Sequence, residues 1–303
     1  MTRGRYAPSP TGDLHLGNLR TAVLAWLFAH TIPEPFEGHE LLYRIEDLDA
    51  SRVRPGIAER QRSDLESLGV SFDPPTVIQS ERSDAYDEAL RELAERTFPC
   101  FCTRREIAEA SSAPHATPGR YPGTCRNLSG SERAERGRTR RPAIRLRAED
   151  TDVTIIDLLH GEVSGMPDDI VLRRNDGVAA YNLAVVVDDA DSGVDQVVRG
   201  DDLLESAISQ AHLAGLLGCP PPTYAHVPLA LNGEGRRLAK RDGAVTLADL
   251  ADRGVTPAHV LTMIAASLDL AEPDEPVTID QLLDRFDPAA LPRTPWIVGP
   301  QKS

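Results

Sequence analysis

The stretch Arg5-Tyr6-Ala7-Pro8-Ser9-Pro10-Thr11-Gly12-Asp13-Leu14-His15-Leu16-Gly17-Asn18 constrains this chain more than any other. Pro8, Pro10 and Gly12 break regular structure, whereas Leu16, Leu19, Val23, Trp26 and Leu27 then recur at helical spacing. The pattern predicts a short strand, a turn and a helix. A helix starting there presents free backbone N–H groups and the positive end of its dipole, which together favour an anion such as a nucleotide phosphate. His15 and Gly17 stand at that mouth, the imidazole placed to donate to a phosphate oxygen and the glycine to let a ligand come close. Taken alone, Pro-Ser-Pro-Thr-Gly would suit a plain surface turn equally well.

The full string resembles the HIGH signature of class I aminoacyl-tRNA synthetases, in the Ala-Pro-Ser-Pro-Thr-Gly-x-Leu-His form of the glutamyl/glutaminyl branch. Its last position is Asn18 where the signature has His. Far along the chain, residues 231–244 form a loop containing Gly233, Gly235 and Gly243 that resembles the KMSKS signature, with Lys240 at the second lysine position and Arg237 replacing the first. Composition sharpens this reading, because Lys240 and the near-terminal Lys302 are the only lysines. A compact ammonium kept in a glycine-flanked loop suits a phosphate partner. The sequence contains no P-loop, no Gly-x-Ser-x-Gly elbow and no His-Glu-x-x-His.

Between these motifs, residues 38–49 contain a run with the texture of a buried strand ending in acids. Ligands gather at the carboxyl ends of strands in open α/β sheets, so Glu46, Asp47 and Asp49 are candidates for a polar site, or else ordinary caps. The Arg-Ile-Glu-Asp string is similar to the corresponding segment of glutamyl-tRNA synthetases and favours Glu46. Helical segments are expected near 55–69 and 82–97, separated by a break at Pro74-Pro75. Strand-like runs follow at 143–146, 153–156 and 170–173. The run Ala180–Asp189 is ambiguous by periodicity, and a helix is expected over about 203–217. The strings Arg-x-Asp-Gly, Tyr-x-Leu-Ala-Val-Val-Val-Asp-Asp and Val198–Leu204 resemble the second half of the glutamyl-tRNA synthetase catalytic domain.

Cys100, Cys102 and Cys125 are spaced to reach one tetrahedral ion, a reading that competes with three reduced, metal-free cysteines. Spacing nominates His115 as fourth ligand. The Cys-x-Cys, Tyr-x3-Cys pattern of short synthetase paralogues nominates Tyr121 instead, and a structural zinc is expected.

The net charge of −14 argues against a nucleic-acid partner, but Arg133, Arg136, Arg138, Arg140, Arg141, Arg145 and Arg147 form a local basic excess. That window is either a solvated loop or a footprint for RNA. No stretch is apolar and long enough to span a bilayer, so a soluble, cytoplasmic protein is expected.

By resemblance, the chain is identified as a member of the glutamyl-queuosine tRNA(Asp) synthetases. The implied fold is α/β: a Rossmann-like catalytic domain in two halves (1–97 and 181–246), an inserted zinc-bearing subdomain (98–180) and a short helical C-terminal region (247–303), without an anticodon-binding domain. The implied reaction is tRNA-independent activation of L-glutamate by ATP with Mg²⁺, then transfer to queuosine in the anticodon loop of tRNA(Asp), with no obligatory protein partner. The same resemblance assigns His15, Gly17, Asn18 and Lys240 to ATP, and Arg5, Ala7, Ser9, Glu46, Tyr181 and Arg199 to glutamate. A shortened synthetase that charges a tRNA 3′ end, and a non-catalytic RNA-binding relative, are the competing readings.

Overall fold

The computed structural model describes residues 2–31, 38–111, 120–238 and 246–299. It begins with β1 (Thr2–Tyr6), α1 (Leu16–His30), β2 (His39–Ile45), α2 (Ile57–Ser67), β3 (Asp73–Ile78) and α3 (Ser83–Glu92). The strands form a parallel sheet in the order β1-β2-β3. Both faces of a parallel sheet are covered, which is why Leu41, Leu42 and Tyr43 form an unbroken buried run. Beneath it, α1 is apolar around most of its circumference, and Leu16, Leu19, Ala22, Val23, Leu24, Ala25, Leu27, Phe28 and Ala29 are all buried. Gly4 allows the close fit: a Cβ there would lie 3.3 Å from the Ala29 Cβ.

Next come β4 (Thr97–Cys100), α4 (Arg104–Ser111), α5 (Gly130–Gly137), β5 (Ala143–Leu146), β6 (Val153–Asp157), β7 (Gly161–Gly165) and β8 (Val171–Arg173). β4, β5 and β8 make a separate antiparallel sheet. The β6-β7 hairpin leaves that sheet and joins another, through the parallel pairing of β6 with β10 at Asp157 and Tyr224.

The chain continues through α6 (Tyr181–Asp191), β9 (Gln196–Gly200), α7 (Leu204–Leu216), β10 (Thr223–Val227) and β11 (Ala230–Asn232). The second sheet runs β7-β6-β10-β9. Its β9 end lies beside β1, where the Asp195 N–H donates to Arg3 O at 3.1 Å. The strand order therefore reverses between β1 and β9, a topological switch point of the Rossmann type. The last elements are α8 (Leu247–Ala251), α9 (Pro257–Ala266), α10 (Ile279–Arg285) and β12 (Trp296–Val298), and β12 pairs in parallel with β11. Among the described residues no helix is long and apolar enough to cross a membrane.

One local expectation changes, one ambiguity is resolved, and one helical region gains a strand. Pro74-Pro75 lies inside β3, where the missing N–H groups are tolerated because β3 is an edge strand. Ala180–Asp189 resolves as α6, whose apolar block Leu183–Val187 is buried against α3, α7 and β8. The tail, expected as largely helical, carries three helices and also contributes the strand β12.

Candidate active site

His15 occupies the N-cap of α1. Its Nδ1 accepts from the backbone N–H groups of Gly17 (3.1 Å) and Asn18 (3.3 Å), while Asn18 Oδ1 accepts from the His15 N–H at 3.2 Å. This reciprocal cap fixes the tautomer: Nδ1 carries no proton, so the ring's N–H is on Nε2, directed away from the helix. Burial, reinforced by the Arg237 charge, holds the ring's pKa below the ordinary imidazole value, so it stays neutral.

The free N–H groups expected at this mouth are thus taken by His15 itself, and the hydrogen-bond donor left by the cap is an imidazole N–H. The open space expected at Gly17 is filled from within. A Cβ there would lie 3.1 Å from both the His15 ring and the Ala230 Cβ.

Lys240 lies outside the described residues. The chain leaves them at Leu238, buried in the same core as Leu14 and Leu16, and re-enters at Thr246, which forms an antiparallel bridge with His15. Both flanks of the lysine segment therefore adjoin the histidine turn. Arg237 pairs with Asp202 at 3.0 Å.

The other expected site residues sit at strand ends around the switch point. Ala7 and Ser9 follow β1, and the Glu46 N–H donates to Pro8 O at 3.1 Å, tying that turn to the end of β2. Gln61 holds the turn from below through Ser9 O (3.1 Å) and Gly12 O (2.7 Å). Arg5 is buried and donates from Nε to Asp189 Oδ1 at 3.1 Å. Asp189 also accepts from Arg44 Nη1 at 2.6 Å. Burial alone would raise the Asp189 pKa, but Arg44 and Arg5 hold it below the usual carboxylate range. Glu46, 3.8 Å from Arg44 Nε, has its pKa raised by burial, with Arg44 and Arg5 opposing. Asp47, weighed with it, instead accepts from the Ser80 N–H (2.8 Å) and hydroxyl (2.6 Å).

Arg199 extends from β9 with Tyr181 OH 3.5 Å from Nη1. A broad cleft lined by Ser9, Glu46, Tyr181 and Asn182 opens here and runs to the cysteine cluster. Sequence reasoning gave no role to Arg44, Gln61, Asp157, Gln210 or His226, all buried. One available signal was Arg44 itself, a charge inside an apolar strand.

At the far end of the cleft, the sulfurs of Cys100, Cys102 and Cys125 lie within 4.8 Å of one another. Cys102 and Cys125 are 3.6 Å apart, close to the roughly 3.8 Å that two thiolates bound to one tetrahedral zinc require. Tyr121 OH lies 3.3 Å from Cys100 Sγ and 3.9 Å from Cys102 Sγ. Three thiols and a phenol therefore face one point, a donor set that fits a metal ion. His115 lies outside the described residues.

The arginine-rich window wraps this cluster. Arg145 stacks over the Tyr121 ring at 3.9 Å, Arg136 Nη1 is 3.7 Å from Cys125 Sγ, and Arg140 donates to Phe101 O at 2.5 Å.

The family described as "tRNA synthetases class I (E and Q), catalytic domain" matches residues 1–298. A glutamyl-Q tRNA(Asp) synthetase from Nocardia farcinica is 59% identical over 298 residues, covering 97% of this chain and 92% of that relative. One of the same name from Cutibacterium acnes is 52% identical, covering 90% and 78%. Among solved structures, a glutamate tRNA ligase from Elizabethkingia meningosepticum in complex with its amino acid superposes with a TM-score of 0.79 at 28% identity. That match covers 98% of this chain and 66% of the ligase. The two-sheet frame, the capped histidine and these matches across nearly the whole of this chain agree: the chain belongs to the class I (E and Q) tRNA synthetase family, in its glutamyl-Q tRNA(Asp) synthetase branch.

Proposed function

We propose that this protein activates L-glutamate with ATP, without needing tRNA, and transfers the glutamyl group to queuosine in the anticodon loop of tRNA(Asp). The relatives are named glutamyl-Q tRNA(Asp) synthetases, which supports this reading. The observation that carries the reading is the set of charges at the switch point: two buried arginines, Arg5 and Arg199, with the carboxylate Glu46 between the strand ends. Glutamate has two carboxylates and one ammonium. Arginine forks suit the former and Glu46 the latter.

Arg5 uses Nε on Asp189, and among the described residues its terminal nitrogens have no protein partner, which leaves them for a substrate carboxylate. Ala7, Ser9 and Tyr181 would line the amino acid. The substrate carboxylate attacks the α-phosphorus of ATP and pyrophosphate leaves, so negative charge grows on phosphate oxygens in the transition state. His15 Nε2–H is a fixed donor for those oxygens, Gly17 and Asn18 keep it aimed, and Lys240 would supply the mobile cation. Mg²⁺ would accompany ATP as part of the substrate.

Cys100, Cys102, Tyr121 and Cys125 would hold one structural zinc. With all four positions filled by protein, the ion would fold the knuckle and take no part in the chemistry.

The first test is pyrophosphate exchange with purified protein. Exchange that depends on glutamate and proceeds without tRNA is expected; its absence would reject the activation step. Transfer of labelled glutamate to queuosine-containing but not queuosine-free tRNA(Asp) is expected next. Labelling of a tRNA 3′ end would favour the shortened-synthetase reading instead.

A further inference from the structure

The two arginines assigned above to glutamate are anchored differently. Arg5 is held by a carboxylate, whereas Arg199 is held by an imidazole: its Nε donates to His226 Nε2 at 3.0 Å. Its Nη1 donates to Gln210 Oε1 at 2.8 Å and its Nη2 lies 3.3 Å from Leu203 O. Behind it, His226 Nδ1 meets Asp157 Oδ2 at 2.6 Å, and the His226 backbone N–H donates to the same oxygen at 3.1 Å. The other Asp157 oxygen accepts from the backbone N–H groups of Leu159 and His160. His226 is 0% and Asp157 1% exposed.

An imidazole that accepts on Nε2 must carry its proton on Nδ1, and Asp157 is the acceptor waiting for that proton, so the tautomer is set by its neighbours. Burial keeps the His226 pKa below the ordinary value, although the bond to Asp157 works against it and the Arg199 charge adds to it.

We propose that the Asp157–His226 pair is the positioning device for Arg199: it takes the single hydrogen on Nε and fixes the plane of the guanidinium, while Gln210 and Leu203 O each take one hydrogen of the terminal nitrogens and what remains there is left for a substrate carboxylate. This rests on the assignment of Arg199 to glutamate made above. A neutral imidazole fixes the plane of the fork and leaves its charge available. Gln210 completes the arrangement by linking Nη1 to Asn182, to which its amide donates at 2.9 Å.

The test is glutamate-dependent pyrophosphate exchange with the full chain, with KM measured separately for glutamate and ATP. His226→Leu should raise KM for glutamate by about tenfold or more, the scale of one lost charge-assisted hydrogen bond, while KM for ATP stays within about twofold. His226→Gln, whose amide can accept from Arg199 and donate to Asp157, should recover most of that loss. Should His226→Leu fail to fold, His226→Asn takes its place: it keeps a polar amide but is too short to span both partners, and should show the same selective rise. A wild-type protein without glutamate-dependent exchange would remove the functional reading and this inference with it. Wild-type exchange accompanied by equal changes in both KM values, by no change, or by no recovery in His226→Gln would overturn the inference alone.

Discussion

His15 does two things that substitution can separate. It caps α1 through Nδ1, and the cap leaves the ring's N–H on Nε2, the donor proposed for ATP. Asparagine is a good cap but has no donor in the Nε2 position. His15→Asn should therefore keep the wild-type melting temperature while exchange falls about 100-fold, on the scale of one transition-state donor. His15→Ala should lose the activity and, in addition, about 1 kcal/mol of stability in urea titration. Glu46 makes a pH prediction. Its pKa is raised by burial, so it loses its charge at a higher pH than an exposed carboxylate as the medium is acidified. KM for glutamate should rise as pH falls toward that raised value, and should be higher at neutral pH but flat across this range in Glu46→Gln. At this scale the readable residues were those in strings: His15, Arg5, Glu46 and Arg199 each belong to a recognisable run. His226, Asp157 and Gln210 are ordinary polar letters in ordinary elements. Nothing local distinguishes them, because their meaning comes from contacts made across 69 and 11 residues of chain.

Among the elements, those with strong periodicity were legible and those whose type depends on neighbours were not. The α1 pattern predicted its helix, whereas Pro74-Pro75 reads as a break until the edge position of β3 is known. The block Leu183–Val187 fits a strand or a buried helix equally, and only its packing against α3 and α7 decides. The cysteine knuckle was predicted from spacing, but the role of the arginines around it was not: Arg136, Arg140 and Arg145 turn inward to the cluster. Elemental analysis should find about one zinc per chain, the occupancy expected of a single closed site. Chelation should expose the segment around Cys100–Cys125 to proteolysis first, since the β1-β2-β3 sheet and α1 have a core of their own.

At the scale of the whole molecule, the excess of acid over base coexists with a basic wall. Arg104, Arg140, Arg141, Arg145 and Arg174 line the cleft between the switch point and the knuckle. Arg104 and Arg141 are exposed. In Arg104→Ala/Arg141→Ala, transfer to tRNA should fall about tenfold relative to glutamate-dependent exchange and should depend less steeply on salt, as expected when phosphate contacts are removed. Stability should also depend on pH. Burial leads the causes that hold His15, His30, His212 and His226 below the ordinary imidazole pKa. Below about pH 6.5 the unfolded chain takes up protons that the folded one refuses, so stability falls with acidity, by at most about 1.4 kcal/mol per pH unit for each ring. Urea midpoints at pH 7.5 and 6 should show the loss.

The pairing of β12 with β11 has a practical side. The final described strand is stitched to the one that feeds the lysine segment, so mechanical or steric load at the carboxyl terminus should be passed on to β11 and through it toward that segment. An affinity handle fused there belongs on a cleavable spacer, and a preparation that purifies well but turns over poorly should be assayed again once the handle has been cut away.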